Sequence, residues 1–300
     1  MATLYTQAES NIHKTWLLIT GFLLFIIFLG WIFSYLLDNS IFLVLAVILA
    51  IFQSILSYWY SDKIVLAMTR AKPIEKKDNP ELYRIIENLC LTAGLPLPKI
   101  YIIEEAQPNA FAAGRDAKHA VVAVTRGLLE KLEKSELEGV ISHELSHIGN
   151  KDMLLQTIVV VLVGIVAILS NFFLRISFFG GGRRRDSRDS GGAILAIFGI
   201  LAAILAPIAA TLVQLAISRK REFLADASGA LLTRYPEGLA KALEKISSDP
   251  NSLRVANDST AHLFIASPFR GEQAKNWIAK LFSTHPPVEE RIKALREMSV

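Results

Sequence analysis

Four uncharged apolar runs, over residues 16–37, 40–60, 153–174 and 193–217, set the pattern of this chain. Each reaches the roughly 20 residues that a helix needs to cross the hydrocarbon of a bilayer. They predict four transmembrane helices. Trp16, Trp31, Tyr35, Tyr58, Trp59 and Tyr60 lie near the ends of the first two runs, as interfacial aromatic residues do. The first run is too long for the apolar part of a cleaved leader, lacks a clear small-x-small cleavage site and leads straight into the second. It reads as retained, after a short polar lead over residues 1–14.

Elsewhere the apolar positions are periodic rather than continuous. Over residues 79–93, Asn79-Pro80 opens a segment whose apolar face is Leu82, Ile85, Ile86, Leu89 and Cys90, and Gly94 closes it, so a helix is expected. Residues 99–103, 110–113 and 120–124 are short, partly β-branched runs that predict a small, mostly antiparallel sheet. Residues 125–132 start a helix, and residues 135–152 form the next. There Ser135 with Glu138 reads as a capping box, and Leu137, Val140, Ile141, Leu145 and Ile148 recur at helical spacing. Residues 175–192 contain GGGRRRDSRDSGG, a linker composition that cannot form a core. The expected architecture is a mostly α membrane protein with four transmembrane helices. Residues 1–60 form an N-terminal hairpin, 61–152 and 219–300 together form a soluble domain with the small sheet, and 153–218 form a second membrane hairpin inserted into it.

Composition agrees with this division. Of 300 residues 52% are hydrophobic, and the mean hydropathy of +0.39 is too high for an ordinary soluble enzyme. The net charge of +4 comes from Lys and Arg concentrated beside the apolar runs, which fits anionic lipid headgroups and argues against nucleic acid. The tip Asp38-Asn39-Ser40 carries no basic residue, whereas Lys63, Arg70, Lys72, Lys76 and Lys77 follow the second run. The positive-inside rule then puts the N-terminus and the soluble domain in the cytoplasm. Cys90 is the only cysteine, so no intrachain disulfide can form, and it reads as a buried helix residue.

The helix over 135–152 carries His143-Glu144-x-x-His147. Residues four apart share a helix face, so both imidazoles can grip one metal ion. Zinc suits them, because a catalytic zinc site uses three protein ligands and a water. Glu144 is then placed to take the proton of that water. Beyond the fourth run come Glu222 and Asp226, again four apart. Glu222 can complete a His, His, Glu ligand set, while Asp226 can accept a hydrogen bond from a ligand histidine and fix its tautomer. The alternative for these acids is a solvated face paired with Arg219 or Arg221. His13, His119 and His262 have no metal-like spacing and read as ordinary histidines.

The four spans, His143-Glu-Leu-Ser-His147, Glu222-x-x-x-Asp226, Pro108-Asn-Ala-Phe-Ala112 and Thr284-His-Pro-Pro287 together resemble the HtpX family of bacterial membrane zinc proteases, whose relatives include the prenyl-protein (CAAX) proteases. The resemblance covers nearly the whole chain. It implies a gluzincin-type α+β catalytic domain with one zinc per chain, at the cytoplasmic face of the inner membrane, and a role in membrane-protein quality control under stress. It also gives Asn109, Ala110, Phe111 and Ala112 a use, as an edge strand that pairs with an extended substrate. Similarly, the late His-Pro segment implies that His285 touches the oxyanion and that Arg291 positions it. The Arg-rich linker after the third run departs from the family pattern.

Taken together, these readings describe a zinc endopeptidase acting on polypeptides in or near the membrane, with the lipid bilayer as its other partner. The enzyme alternative is processing of lipidated, CAAX-type C-termini. The non-enzyme alternative is a membrane scaffold with a structural zinc, which would close the fourth zinc position with a protein ligand, most often Cys.

Overall fold

The computed structural model describes residues 4–36, 38–179, 219–257, 259–270 and 286–298, with four further positions between 205 and 212. The fourth apolar run, 193–217, lies outside the described residues except at those positions.

The membrane part begins with α1 (Leu4–Leu36) and α2 (Ile41–Trp59), which pack together as a hairpin. The polar lead is itself helical from Leu4 on, so the helix begins about three turns before the apolar run. Its polar residues Asn11 and Thr15 are buried against the rest of the protein, where Thr15 Oγ1 donates to the Asn11 carbonyl at 2.8 Å. A third long helix, α7 (Met153–Phe179), joins the pair through Leu155, Ile158, Val159 and Leu162, which meet Leu18, Ile19, Phe22 and Ile26. Among the described residues, three helices are therefore long and apolar enough to cross a membrane, over Asn11–Tyr35, Ile41–Trp59 and Met153–Phe172.

After the short α3 (Ser61–Met68) comes β1 (Lys72–Pro73), and then α4 (Pro80–Ala93). The Asn79 side chain caps α4 by accepting from Leu82 N at 3.0 Å, and Gly94 ends it at φ 65°, a left-handed conformation that glycine adopts without strain. The strands β2 (Lys99–Ile103), β3 (Ala110–Ala113) and β4 (Val121–Thr125) complete a sheet in the order β1-β2-β4-β3. Two of its three pairings are antiparallel, as expected, but β2 and β4 run parallel. That makes the sheet mixed and leaves β3 at an edge.

Helix α5 (Arg126–Lys131) leads to α6 (Lys134–Gly149), the helix of the metal motif. Its cap differs from the expectation. Glu133, not Ser135, is the N-cap, and the capping box pairs it with Glu136, whose carboxylate accepts from Glu133 N at 2.8 Å. Glu133 has extended backbone and so stands at the true boundary, which puts Ser135 already inside the first turn. Helices α8 (Arg219–Thr233) and α9 (Pro236–Ser248) pack against α6, and α10 (Val288–Arg296) packs on α8 and α9. One core joins Ile86 of α4, Val122 of β4, Ile141, Leu145 and Ile148 of α6, Ala230 of α8, Leu243 of α9 and Leu295 of α10. Leu145 has no exposed surface, and truncating such a leucine to alanine costs about 2–5 kcal/mol. The metal motif is therefore presented on a rigid, buried helix.

Candidate metal centre

His143, Glu144 and His147 are all buried on the inner face of α6, against α8. The two imidazole Nε2 atoms stand 3.2 Å apart, and Glu222, from the first turn of α8, brings Oε1 to 3.6 Å from His147 Nε2 and Oε2 to 3.9 Å from His143 Nε2. Ligand atoms held about 2.0–2.2 Å from a tetrahedral zinc lie about 3.3–3.5 Å from one another. This spacing fits one ion. All three ligand atoms lie within 4.8 Å of one another.

The far nitrogens decide the tautomers. His143 Nδ1 stands 2.8 Å from Asp226 Oδ1, and His147 Nδ1 stands 3.2 Å from Asp152 Oδ2. Each carboxylate can only accept, so each Nδ1 carries a proton and each Nε2 is the nitrogen left to bind an ion. Two Nε2 atoms and a carboxylate converging at this distance suit a cation between them. The donor set thus fits a zinc ion by chemistry as well as by spacing.

Charges behind the ligands set their ionisation. Burial pushes the Asp226 carboxyl up, but Arg291 and His143 hold it down at about 2. Arg291 is fully buried: Nε donates to Asp226 Oδ2 at 2.8 Å, Nη2 to Oδ1 at 2.7 Å and Nη1 to the Ile265 carbonyl at 2.8 Å. Burial alone would lower its pKa, and the facing Asp226, Glu222 and Glu144 raise it. Burial lowers the His143 pKa, against the pull of Asp226. His147 responds the other way: burial lowers its pKa, yet Asp152, Glu222 and Glu144 carry it up to about 9. Glu144 is pushed by burial up to about 7, while the Ala112 N–H donates to its carboxylate.

Of the residues singled out in the sequence, His143, Glu144, His147, Glu222, Asp226, Arg291 and Ala112 come together here. Arg291 sits behind the ligands, on Asp226, so its contacts are with the ligand set rather than with the open side of the site. His285 lies outside the described residues. Asn109 is buried: its Nδ2 donates to the Ala266 carbonyl at 3.0 Å, beside the bond from Ile265 N to the Ala110 carbonyl at 3.0 Å. Its amide therefore ties residues 265–266 to the outer edge of β3, and Phe111 packs edge-on against Phe264. Cys90 is buried in the core, where burial pushes its thiol up to about 11. Sequence reasoning missed Asp152, which it took only as the end of the metal helix. The one signal was its place, an acid five residues after His147 and directly before an apolar run.

A family model described as Peptidase family M48 matches residues 76–299, about three quarters of the chain. The chain belongs to peptidase family M48. Within M48 it stands with the HtpX proteases. It is 45% identical over 301 residues to the protease HtpX homolog of Thermoanaerobacter pseudethanolicus, covering 99% of each chain. It is 50% identical over 258 residues to that of Syntrophobacter fumaroxidans, covering 85% of this chain and 89% of the relative. The Pyrococcus furiosus homolog is 48% identical over 269 residues, covering 89% of this chain and 90% of the relative. Among solved structures, the crystal structure of S. mikatae Ste24p aligns at 20% identity with a TM-score of 0.49, over 97% of this chain and 66% of that one. This M48 chain is a metalloprotease, a hydrolase of peptide bonds, and its apolar helices make it a membrane protein.

Proposed function

We propose that this M48 chain is a zinc-dependent endopeptidase that cleaves misfolded or damaged membrane proteins at the cytoplasmic face of the cell's inner membrane, with one zinc per chain held by His143, His147 and Glu222. The observation that carries the reading is the inward convergence of the two Nε2 atoms and the Glu222 carboxylate, with buried Glu144 beside them. A zinc ion held there would supply a Lewis acid for the scissile carbonyl and lower the pKa of water toward about 7. Glu144 takes a proton from the attacking water and returns it to the leaving amine, a task favoured by a carboxyl whose pKa burial brings to about 7. Asp226 and Asp152 hold the imidazoles in the tautomer that faces the ion. Arg291 holds Asp226. The edge strand β3 pairs with an extended substrate at the Ala112 carbonyl, since the Ala112 N–H is given to Glu144 and the Ala110 carbonyl to Ile265.

The choice of substrate rests on proximity. Met153, the first residue of α7, comes only six positions after His147, so the site lies a short stretch of chain from a membrane span. The catalytic domain is taken to comprise 61–152 and 219–300, interrupted by the hairpin 153–218. In a Cys90-free background, a cysteine replacing Ser187 should react with an impermeant thiol reagent from outside the membrane. Labelling only after permeabilisation would make that hairpin re-entrant.

The deciding experiment is proteolysis by detergent-purified protein of an unfolded membrane protein and of a lipidated peptide, with and without a chelator. Cleavage of the unfolded protein should vanish with chelator and return with zinc. Cleavage of the lipidated peptide alone would support processing of lipidated C-termini instead.

A further inference from the structure

The first membrane helix does more than hold the protein in lipid. Asn11, the first residue of the span Asn11–Tyr35, is buried, and its amide bridges two segments of the metal site. Its Nδ2 donates to Asp152 Oδ1 at 2.6 Å, and its Oδ1 accepts from Arg221 Nη1 at 2.8 Å. Each partner is one step from a ligand. The other oxygen of Asp152 faces His147 Nδ1 at 3.2 Å, and Arg221 directly precedes Glu222. An amide is suited to this place because it offers a donor on one side and an acceptor on the other. A carboxylate would meet Asp152 with like charge, and an aliphatic side chain would lose both bonds.

We infer that Asn11 is a positioning residue for the metal ligands, acting on His147 through Asp152 and on Glu222 through Arg221. A carboxylate that accepts from a ligand imidazole orients the ring only as well as it is itself held. Here Asp152 is held by a side chain from the N-terminal helix, 141 residues away in sequence. The active site is thus completed by the membrane anchor. The inference rests on the metal reading above.

The test uses the full-length protein in detergent, with zinc and cobalt affinities read by chelator competition and the visible spectrum of the cobalt form recorded. Asn11→Leu removes both bonds. Asn11→Asp keeps the volume and the Arg221 contact but loses the bond donated to Asp152. Both should weaken metal binding by about 10- to 100-fold, shift the cobalt spectrum and lower kcat with little change in KM. In an Asp152→Asn background Asn11→Asp, which spares the Arg221 contact, should cost less than about two-fold more, because residues acting through one partner are not additive. If Asn11→Leu does not fold, Asn11→Asp carries the same comparison. Wild-type metal affinity in the variants, or fully additive losses in the double variant, would overturn the inference. A wild-type protein that takes up no metal would remove the metal reading, and this inference with it.

Discussion

Asp226 and Arg291 meet in a two-point salt bridge sealed from solvent, with Nε on Oδ2 at 2.8 Å and Nη2 on Oδ1 at 2.7 Å. The pair joins α8 to α10 directly behind the metal ligands. Removing one charge strips the other of its nearest buried partner, and breaking a buried pair in this way costs up to about 3–5 kcal/mol. Asp226→Asn should therefore lower the unfolding midpoint of the metal-free protein as well as its metal affinity. The Asp226 pKa is depressed, so the stability this carboxylate contributes is present above its ordinary range and is lost only as pH falls toward about 2. Unfolding followed between about pH 5 and 9 should show a constant difference between the wild type and the variant.

Glu144 serves proton transfer and not metal binding, so Glu144→Gln should separate the two. Turnover should fall by about 10²- to 10⁴-fold while metal content stays at the wild-type level. Metal analysis of the folded variant beside a peptide-cleavage assay checks this. Loss of metal in folded Glu144→Gln would return Glu144 to the ligand set.

Metal uptake should depend on pH through His147. In the metal-free protein its imidazole, raised to about 9, stays protonated at neutral pH, and the ion must displace that proton. Because the raised group holds its proton below about 9, affinity should climb with pH, by about ten-fold per unit for one proton released, and level off near that value. Asp152→Asn removes the neighbouring charge and should flatten the rise. Chelator competition across this range, with proton release followed in weak buffer, measures both effects.

Close packing of α6 on α8 should matter to the metal as much as the ligands do. A Cβ at Gly229 would lie 3.0 Å from His143 N and 3.0 Å from Ser142 Oγ, tighter than ordinary contact. Gly229→Val should push α8 away, part Glu222 from the histidines and lower metal affinity, with Gly229→Ala milder in the same direction. Equal affinities in all three proteins would mean that the helices adjust without moving the ligands.

Much of this was legible in the sequence because it is local. The four-residue spacing of His143 and His147, the Asn79 cap and the apolar face of α4 each depend on neighbours a few residues away. The four-residue spacing also predicted that Glu222 and Asp226 share a face. What the sequence hid is non-local. The bonds from Asn11 to Asp152 and from Arg291 to Asp226 join residues 141 and 65 apart, and no periodicity announces such pairs. The tie made by Asn109 is non-local too: placed on the edge strand by the sequence, its amide also clamps residue 266 in space. The start of α6 was displaced because Ser135-Glu138 fits the capping pattern, whereas Glu133 is not a usual N-cap residue and only its extended backbone marks the boundary.

The order of the ligands along the chain has a consequence for biosynthesis. His143 and His147 leave the ribosome before α7, and Glu222 follows 75 residues after His147. With only two ligands present, the nascent motif holds metal poorly, and the third arrives only after the segment that begins with α7 has been made. Closing so long a loop is entropically cheap once its ends are brought together, since the cost grows only with the logarithm of its length. Proteolytic power would therefore switch on only after Glu222 has been made and has joined the two histidines, well behind synthesis of the His143-Glu-Leu-Ser-His147 motif itself.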